Sequence, residues 1–255
     1  MIDLTDSHAH LDDSSFDPDR AQVLRRAAEA GVRRIVVPAI HRNSWAGIER
    51  LCAEHPQALP AYGLHPIFLE QHRPEHVAEL TQWLKDHSAV AVGEIGLDYF
   101  LEDLDREQQR AYFEQQLHVA REFDLPVIVH ARRAVDEVTA TLRRIGGLRG
   151  VVHSFSGSEQ QAEQLWRLGF HLGIGGPVTY ERAQRLRRIV AGMPLEYLLL
   201  ETDAPDQPGA GQRGQRNEPA HIAEVLRVVA GLRGDSEANI AAATTANAAH
   251  LFRHA

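Results

Sequence analysis

The chain carries one cysteine, Cys52, in 255 residues. No internal disulfide can form, so the fold must rest on its core, and a lone thiol suits a reducing compartment. Lysine is equally scarce: Lys85 stands alone, and the other cationic side chains are arginines. Arginine's planar fork suits phosphate, although a run such as Arg182 to Arg188 reads as a solvated helix face. Long apolar runs are missing too. No stretch approaches the roughly 18 residues that a bilayer-spanning helix needs, and the opening Met-Ile-Asp-Leu-Thr-Asp has neither the basic nor the apolar part of a signal peptide. The expectation is a cytoplasmic protein with no membrane association and no obligate protein partner. A net charge of −8 argues against binding nucleic acid through a broad basic surface. Repeats, low-complexity tracts and linkers are absent as well, so residues 1–255 are expected to form one domain.

What is present is an alternation of β-rich and helical segments. Strands are expected at 3–8, 33–39, 59–64, 89–95, 126–130, 150–154, 170–174 and 197–202, many of them nearly continuous apolar runs of the kind buried on both faces in parallel sheets. Helical patterns fill 18–30, 43–55, 74–87, 105–124, 133–145, 158–169 and 180–191, with a last pair near 218–232 and 236–252. Asp17-Pro18 resembles a helix cap followed by a first turn, and Gly31 and Gly169 sit just past helix ends. Such alternation means βαβ units and an α/β fold. The choice lies between an open doubly wound sheet and a closed (β/α)8 TIM barrel.

The placement of chemically active residues decides it. His8 and His10 in Asp-Ser-His-Ala-His, Glu94 in Val-Gly-Glu-Ile-Gly, His130 in Val-Ile-Val-His, His153 in Val-Val-His-Ser and Asp203 in Leu-Glu-Thr-Asp all follow β-like runs. These are the first, fourth, fifth, sixth and eighth strands, and only a barrel gathers their C-terminal ends onto one rim. Residues i and i+2 of a strand face the same side, so His8 and His10 can grip one cation. Glu94 has two oxygens and can bridge to a second cation, held also by His130 and His153, while Asp203 can ligate the first ion and accept a proton from water. Nitrogen and oxygen donors without thiolate suit zinc, manganese or magnesium, the four imidazoles favouring a transition metal. Two divalent ions against two ionised carboxylates would leave the site at about +2, enough to draw in a phosphodiester.

Other residues are assigned by position. His65 in Gly-Leu-His-Pro ends the third strand and is expected to touch substrate. Arg213 and Arg216 lie in the loop before the last helix and are expected to hold phosphate. Asp98 and Tyr99 either support the site or cap the next helix. Glu201, two residues from Asp203, either pairs with an arginine or touches the site. Ser154, Ser156 and Gly157 either supply donors near an oxyanion or simply make a turn.

These segments also resemble a known family. Asp-Ser-His-Ala-His-Leu, Gly-Leu-His-Pro, Gly-Glu-Ile-Gly-Leu-Asp-Tyr, Pro-Val-Ile-Val-His, His-Ser-Phe-Ser-Gly, Leu-Glu-Thr-Asp-Ala-Pro and Arg-Asn-Glu-Pro follow, in order from residue 6 to residue 219, the signature blocks of TatD-type metal-dependent hydrolases of the amidohydrolase superfamily. The resemblance implies a TIM barrel in which His8, His10, Glu94 and Asp203 bind one metal and Glu94, His130 and His153 the other. It further implies deoxyribonuclease action, 3′-to-5′ on single-stranded DNA. After His130 the chain reads Ala-Arg-Arg-Ala where many members have Ser-Arg-Asp-Ala, a departure that bears on substrate preference. The expected activity is phosphodiester hydrolysis with Asp203 and Glu94 as the catalytic carboxylates. Hydrolysis of a carboxylic ester, amide or lactone is the alternative within the superfamily, and a non-catalytic scaffold the alternative outside it.

Overall fold

The structure, a computed structural model, describes residues 2–253. Eight strands alternate with helices along it: β1 (Leu4–Asp6), β2 (Val32–Pro38), β3 (Ala58–Tyr62), β4 (Ala91–Asp98), β5 (Val127–Arg132), β6 (Gly150–Val152), β7 (Phe170–Ile174) and β8 (Leu198–Leu200). The crossing helices are α1 (Arg20–Glu29), α2 (Trp45–Glu54), α3 (Glu75–Asp86), α4 (Arg106–Glu122), α5 (Val135–Ile145), α6 (Glu159–Arg167) and α7 (Gln184–Gly192), followed by α8 (Ile222–Arg233) and α9 (Glu237–Phe252). Every strand pairs in parallel with the next, in chain order. β4, β7 and β8 are buried at every position, as expected of strands with the barrel interior on one side and helices on the other.

Val36, Ala61, Ala91, Ile128, Val151 and Leu199, from six different strands, form one apolar cluster with Leu251 and Phe252 of α9. Side chains from six strands can meet only inside a barrel, and the end of α9 packs against that layer. A larger cluster lies between the strands and the surrounding helices. Local signals set the helix starts. Asp105 accepts the Glu107 and Gln108 N–H groups ahead of α4, and Ser158 forms a reciprocal cap with Gln161 ahead of α6.

The ring closes without a regular β8–β1 ladder. Ser7 N–H donates to Leu200 O, Asp203 N–H to His8 O and His10 N–H to Ala204 O, at 3.0, 2.9 and 2.7 Å, with one isolated bridge between Ala9 and Ala204. Below this seam Asp6 accepts from the backbone of Thr202 and from its hydroxyl, at 3.0 and 2.6 Å.

The barrel matches the expected fold, with local corrections. The first strand stops at Asp6 because the chain turns into the seam. The fourth continues to Asp98, paired with β5 as far as Arg132, so Glu94 and His130 lie within their strands and not at their ends. Asp17-Pro18 does not open α1, which starts at Arg20 with Asp19 at its cap position. Gly96, at φ +141°, makes the β4–β5 approach possible: a Cβ there would stand 2.0 Å from His130 O.

Candidate metal centre

The rim opens into a cavity of about 1020 Å³ whose floor holds Glu94, His10, His65, His130, His153 and Asp203. Glu94 lies at the centre, and its two oxygens face different groups. Oε2 is 3.2 Å from His8 Nε2 and 3.5 Å from His10 Nε2. His8 and His10 present those nitrogens 3.2 Å apart, and Asp203 Oδ1 is 3.5 and 3.7 Å from them. A tetrahedral zinc ion with ligands about 2.0–2.1 Å away spaces its donors about 3.3–3.4 Å apart. The observed separations fit one shared cation. Glu94 Oε1 faces the second group, 3.1 Å from His130 Nδ1 and 2.7 Å from His153 Nε2, which are themselves 3.3 Å apart.

The remaining ring nitrogens show how the candidate ligands are oriented. His10 Nδ1 meets the Pro38 carbonyl at 3.2 Å, leaving Nε2 free to ligate. His130 donates from Nε2 to Asp98 Oδ2 at 2.8 Å, which turns Nδ1 inward as an acceptor. The His8 ring stacks on His153, centroids 4.0 Å apart.

His65 differs. Its Nδ1 accepts the Ile67 N–H at 3.1 Å, so the proton sits on Nε2, which donates to Glu94 Oε1 at 2.8 Å. His65 therefore lines the cavity, where a substrate contact is expected, and its Nε2–H also holds the central carboxylate.

The electrostatics of the site centre on Glu94. Burial would push Glu94 up, but the surrounding imidazoles of His65, His153 and His8 hold it well below the usual carboxylate range. Burial pushes His8 and His65 down to about 4, whereas at His10 and His153 Glu94 outweighs burial and raises the rings to about 9 and about 10, so those two must release a proton to ligate a cation. Asp203 occupies left-handed backbone at φ +58°, a conformation that costs energy outside glycine and recurs at functional sites. Its Oδ2 accepts from Gln207 Nε2, and Asn217 Nδ2 ties down the same turn through Thr202 O and Asp206 O, both at 2.8 Å.

The two arginines expected to hold phosphate do not reach this cavity. Arg216 makes a two-pronged contact with Asp19, both bonds 2.8 Å, and lies over the Phe16 ring. Arg213 is exposed at the end of a short turn outside the cavity lining. The arginines that line the cavity are Arg132, Arg182 and Arg185. Arg132 belongs to the Ala-Arg-Arg-Ala segment singled out in the sequence, whereas Arg182 and Arg185 escape it because the helix expected from 180 begins only at Gln184, which leaves Arg182 in a rim loop and Arg185 in the first helical turn. Glu201 resolves to the site and not to an arginine. It is fully buried, accepts Ser154 N–H at 2.6 Å and lies 3.9 Å from His153 Nδ1. Tyr99 lies outside the cavity lining, with Arg106 over its ring.

An eight-stranded parallel barrel with clustered histidines and carboxylates at the C-terminal rim defines a metal-dependent hydrolase. The chain belongs to the TatD related DNase family, which matches residues 5–253. It is 44% identical over 250 residues to a protein of Escherichia coli K12 named uncharacterized metal-dependent hydrolase YjjV, covering 97% of this chain and 96% of that one. The crystal structure of the E. coli YjjV TatD homologue superposes with a TM-score of 0.95 at 42% identity, covering 99% and 98% of the two chains. The 3′-5′ ssDNA/RNA exonuclease TatD of Erwinia tasmaniensis is 34% identical over 255 residues, 97% of this chain and 98% of that protein. Among the described residues no helix is long and apolar enough to cross a membrane.

Proposed function

We propose that the protein hydrolyses phosphodiester bonds of single-stranded DNA from the 3′ end, using two divalent cations, zinc, manganese or magnesium. The observation that carries this reading is the division of Glu94 between two donor groups on the floor of a cavity that also holds three arginines. His8, His10, Glu94 and Asp203 would hold one ion, and Glu94, His130 and His153 the other. When bound, such a pair acidifies water and polarises a phosphoryl oxygen.

The chain's own residues do the rest. Asp203 takes the proton of the attacking water and returns it to the departing 3′-oxygen, with the Gln207 hydrogen bond keeping one of its oxygens turned away from the His8–His10 pair. His65 fixes the Glu94 carboxylate between the two groups through its Nε2–H. Arg132, Arg182 and Arg185 neutralise the non-bridging oxygens and the next phosphate. A cavity of this size on a chain of net charge −8 favours a strand end over a duplex gripped along its length.

Release of nucleotides from 3′-labelled single-stranded DNA tests the reading, with metal-stripped protein, protein reloaded with each cation, and Glu94→Ala. Activity should return with metal and vanish in the variant. Reloaded protein that binds metal and leaves DNA intact would sink the nuclease assignment and move the search to carboxylic esters and amides.

A further inference from the structure

A second groove of about 680 Å³ lies beside the catalytic cavity, between the loops that follow β4, β5 and β6. Ser156 and Arg185 line both depressions, so the two adjoin. Phe100, 41% exposed, stands next to them. It and its neighbour Leu101 are the exposed large apolar side chains among the described residues, and Leu101 lines the cavity. Apolar surface in that position is unfavourable in water, and cations cover it in place of other apolar groups. The Arg132 guanidinium lies 3.7 Å from the ring centroid and that of Arg133 4.7 Å.

Those two arginines face different spaces, Arg132 the cavity and Arg133 the groove. Arg133 adopts a φ of +54°, backbone that a non-glycine residue takes only at a cost. The groove's acids are engaged elsewhere: Glu137 with Arg110, and Asp136 with Gln161 Nε2. Among the described residues Arg132, Arg133 and Arg185 have no carboxylate partner, and Arg185 spends one bond on Ser156 O.

We propose that Phe100, Arg132, Arg133 and Arg185 form a platform for the part of a single nucleic-acid strand lying outside the catalytic cavity. A base stacks on the layer of Phe100 and arginine, and its flanking phosphates follow the arginines from cavity to groove. Stacking needs a base face that a duplex keeps hidden, so the occupant is single-stranded. The proposal rests on the nuclease reading and adds the subsite that would make the enzyme prefer strands longer than two nucleotides.

The test compares KM for a thymidine dinucleotide and for decathymidylate on the metal-loaded protein. It also reads the fluorescence of 2-aminopurine placed at successive positions from the 3′ end. The decamer should have a KM lower by about tenfold, the effect of one stacked base, and 2-aminopurine should be quenched near the end but outside the cleaved position. Phe100→Ala should bring the KM ratio close to one and remove the quenching, Phe100→Tyr should restore both, and Arg133→Glu should flatten the salt dependence. Equal KM values for dinucleotide and decamer, or no quenching at any position, would overturn the platform while hydrolysis stands. Failure to release nucleotides from either substrate would overturn the nuclease reading and the platform with it.

Discussion

Asp98 and His130 are joined by a 2.8 Å hydrogen bond from the ring Nε2 to Oδ2, while the other carboxylate oxygen accepts the Phe100 N–H at 2.9 Å. One side chain thus orients a candidate metal ligand and pins the loop that carries the exposed ring. Burial pushes Asp98 up, but the His130 hydrogen bond and charge outweigh it and hold the carboxyl below its usual range.

Asp98→Asn should keep the Phe100 contact, since the amide oxygen can still accept. An amide NH₂ facing His130 would instead favour the tautomer with Nε2 unprotonated, putting the proton on the nitrogen that faces Glu94. Metal affinity or activity should fall by about 10–100-fold with little change in Tm. Chelator competition measures the first and thermal unfolding the second.

Glu94 and Asp203 should separate on metal content. Glu94→Gln removes the negative charge that both groups share and gives one of them an amide NH₂ in place of an oxygen, so it should leave the purified protein nearly metal-free. Asp203→Asn touches only the His8–His10 group. It should keep the ion held by His130 and His153 while losing about 10²–10⁴-fold in turnover. Elemental analysis of the two variants decides this, and equal metal loss would contradict the division of Glu94.

Arg216→Ala should leave KM for DNA unchanged. Its guanidinium is committed to Asp19 and Phe16, so the expected result is a modest fall in Tm, as for other partly exposed ion pairs. The Arg216 pair holds Asp19 below its usual range. Its contribution is present above the ordinary carboxylate pKa and should fade as pH falls through the lowered one. A raised KM at full stability would return Arg216 to the substrate.

Burial pushes Glu201 from 4.5 up to about 8. The folded chain then keeps a proton that the unfolded chain releases across that interval, so this group's effect is to lower stability as pH rises through it. Glu201→Gln keeps the shape of the protonated acid and does not titrate. In metal-free protein the variant's Tm advantage over the wild type should therefore be larger near pH 8 than near pH 5. An advantage independent of pH would show that Glu201 titrates normally.

The barrel and the six donors are legible because each rests on a local pattern: a buried parallel strand is a short apolar run, and a rim ligand follows it within a few residues. His65 is found by the same signal, but its partner is not, since the Ile67 N–H that sets its tautomer depends on how the chain turns after Pro66. Arg213 and Arg216 mislead because sequence places them near Asp203, whereas Asp19, across the seam, captures Arg216. Phe100 and Arg133 stand 33 positions apart, and only the β4–β5 register brings their loops together. Long-range side-chain pairing of that kind leaves no periodic trace.

The seam has a consequence for synthesis. His8 and His10 are made almost two hundred residues before the backbone that pairs with them, at Asp203 and Ala204, as Asp6 is before Thr202. On the ribosome those two imidazoles must wait, open to stray cations, until the last strand arrives. A chain truncated before residue 200 should therefore lack the candidate His8–His10 site altogether, so that cation binding there would report completion of the barrel.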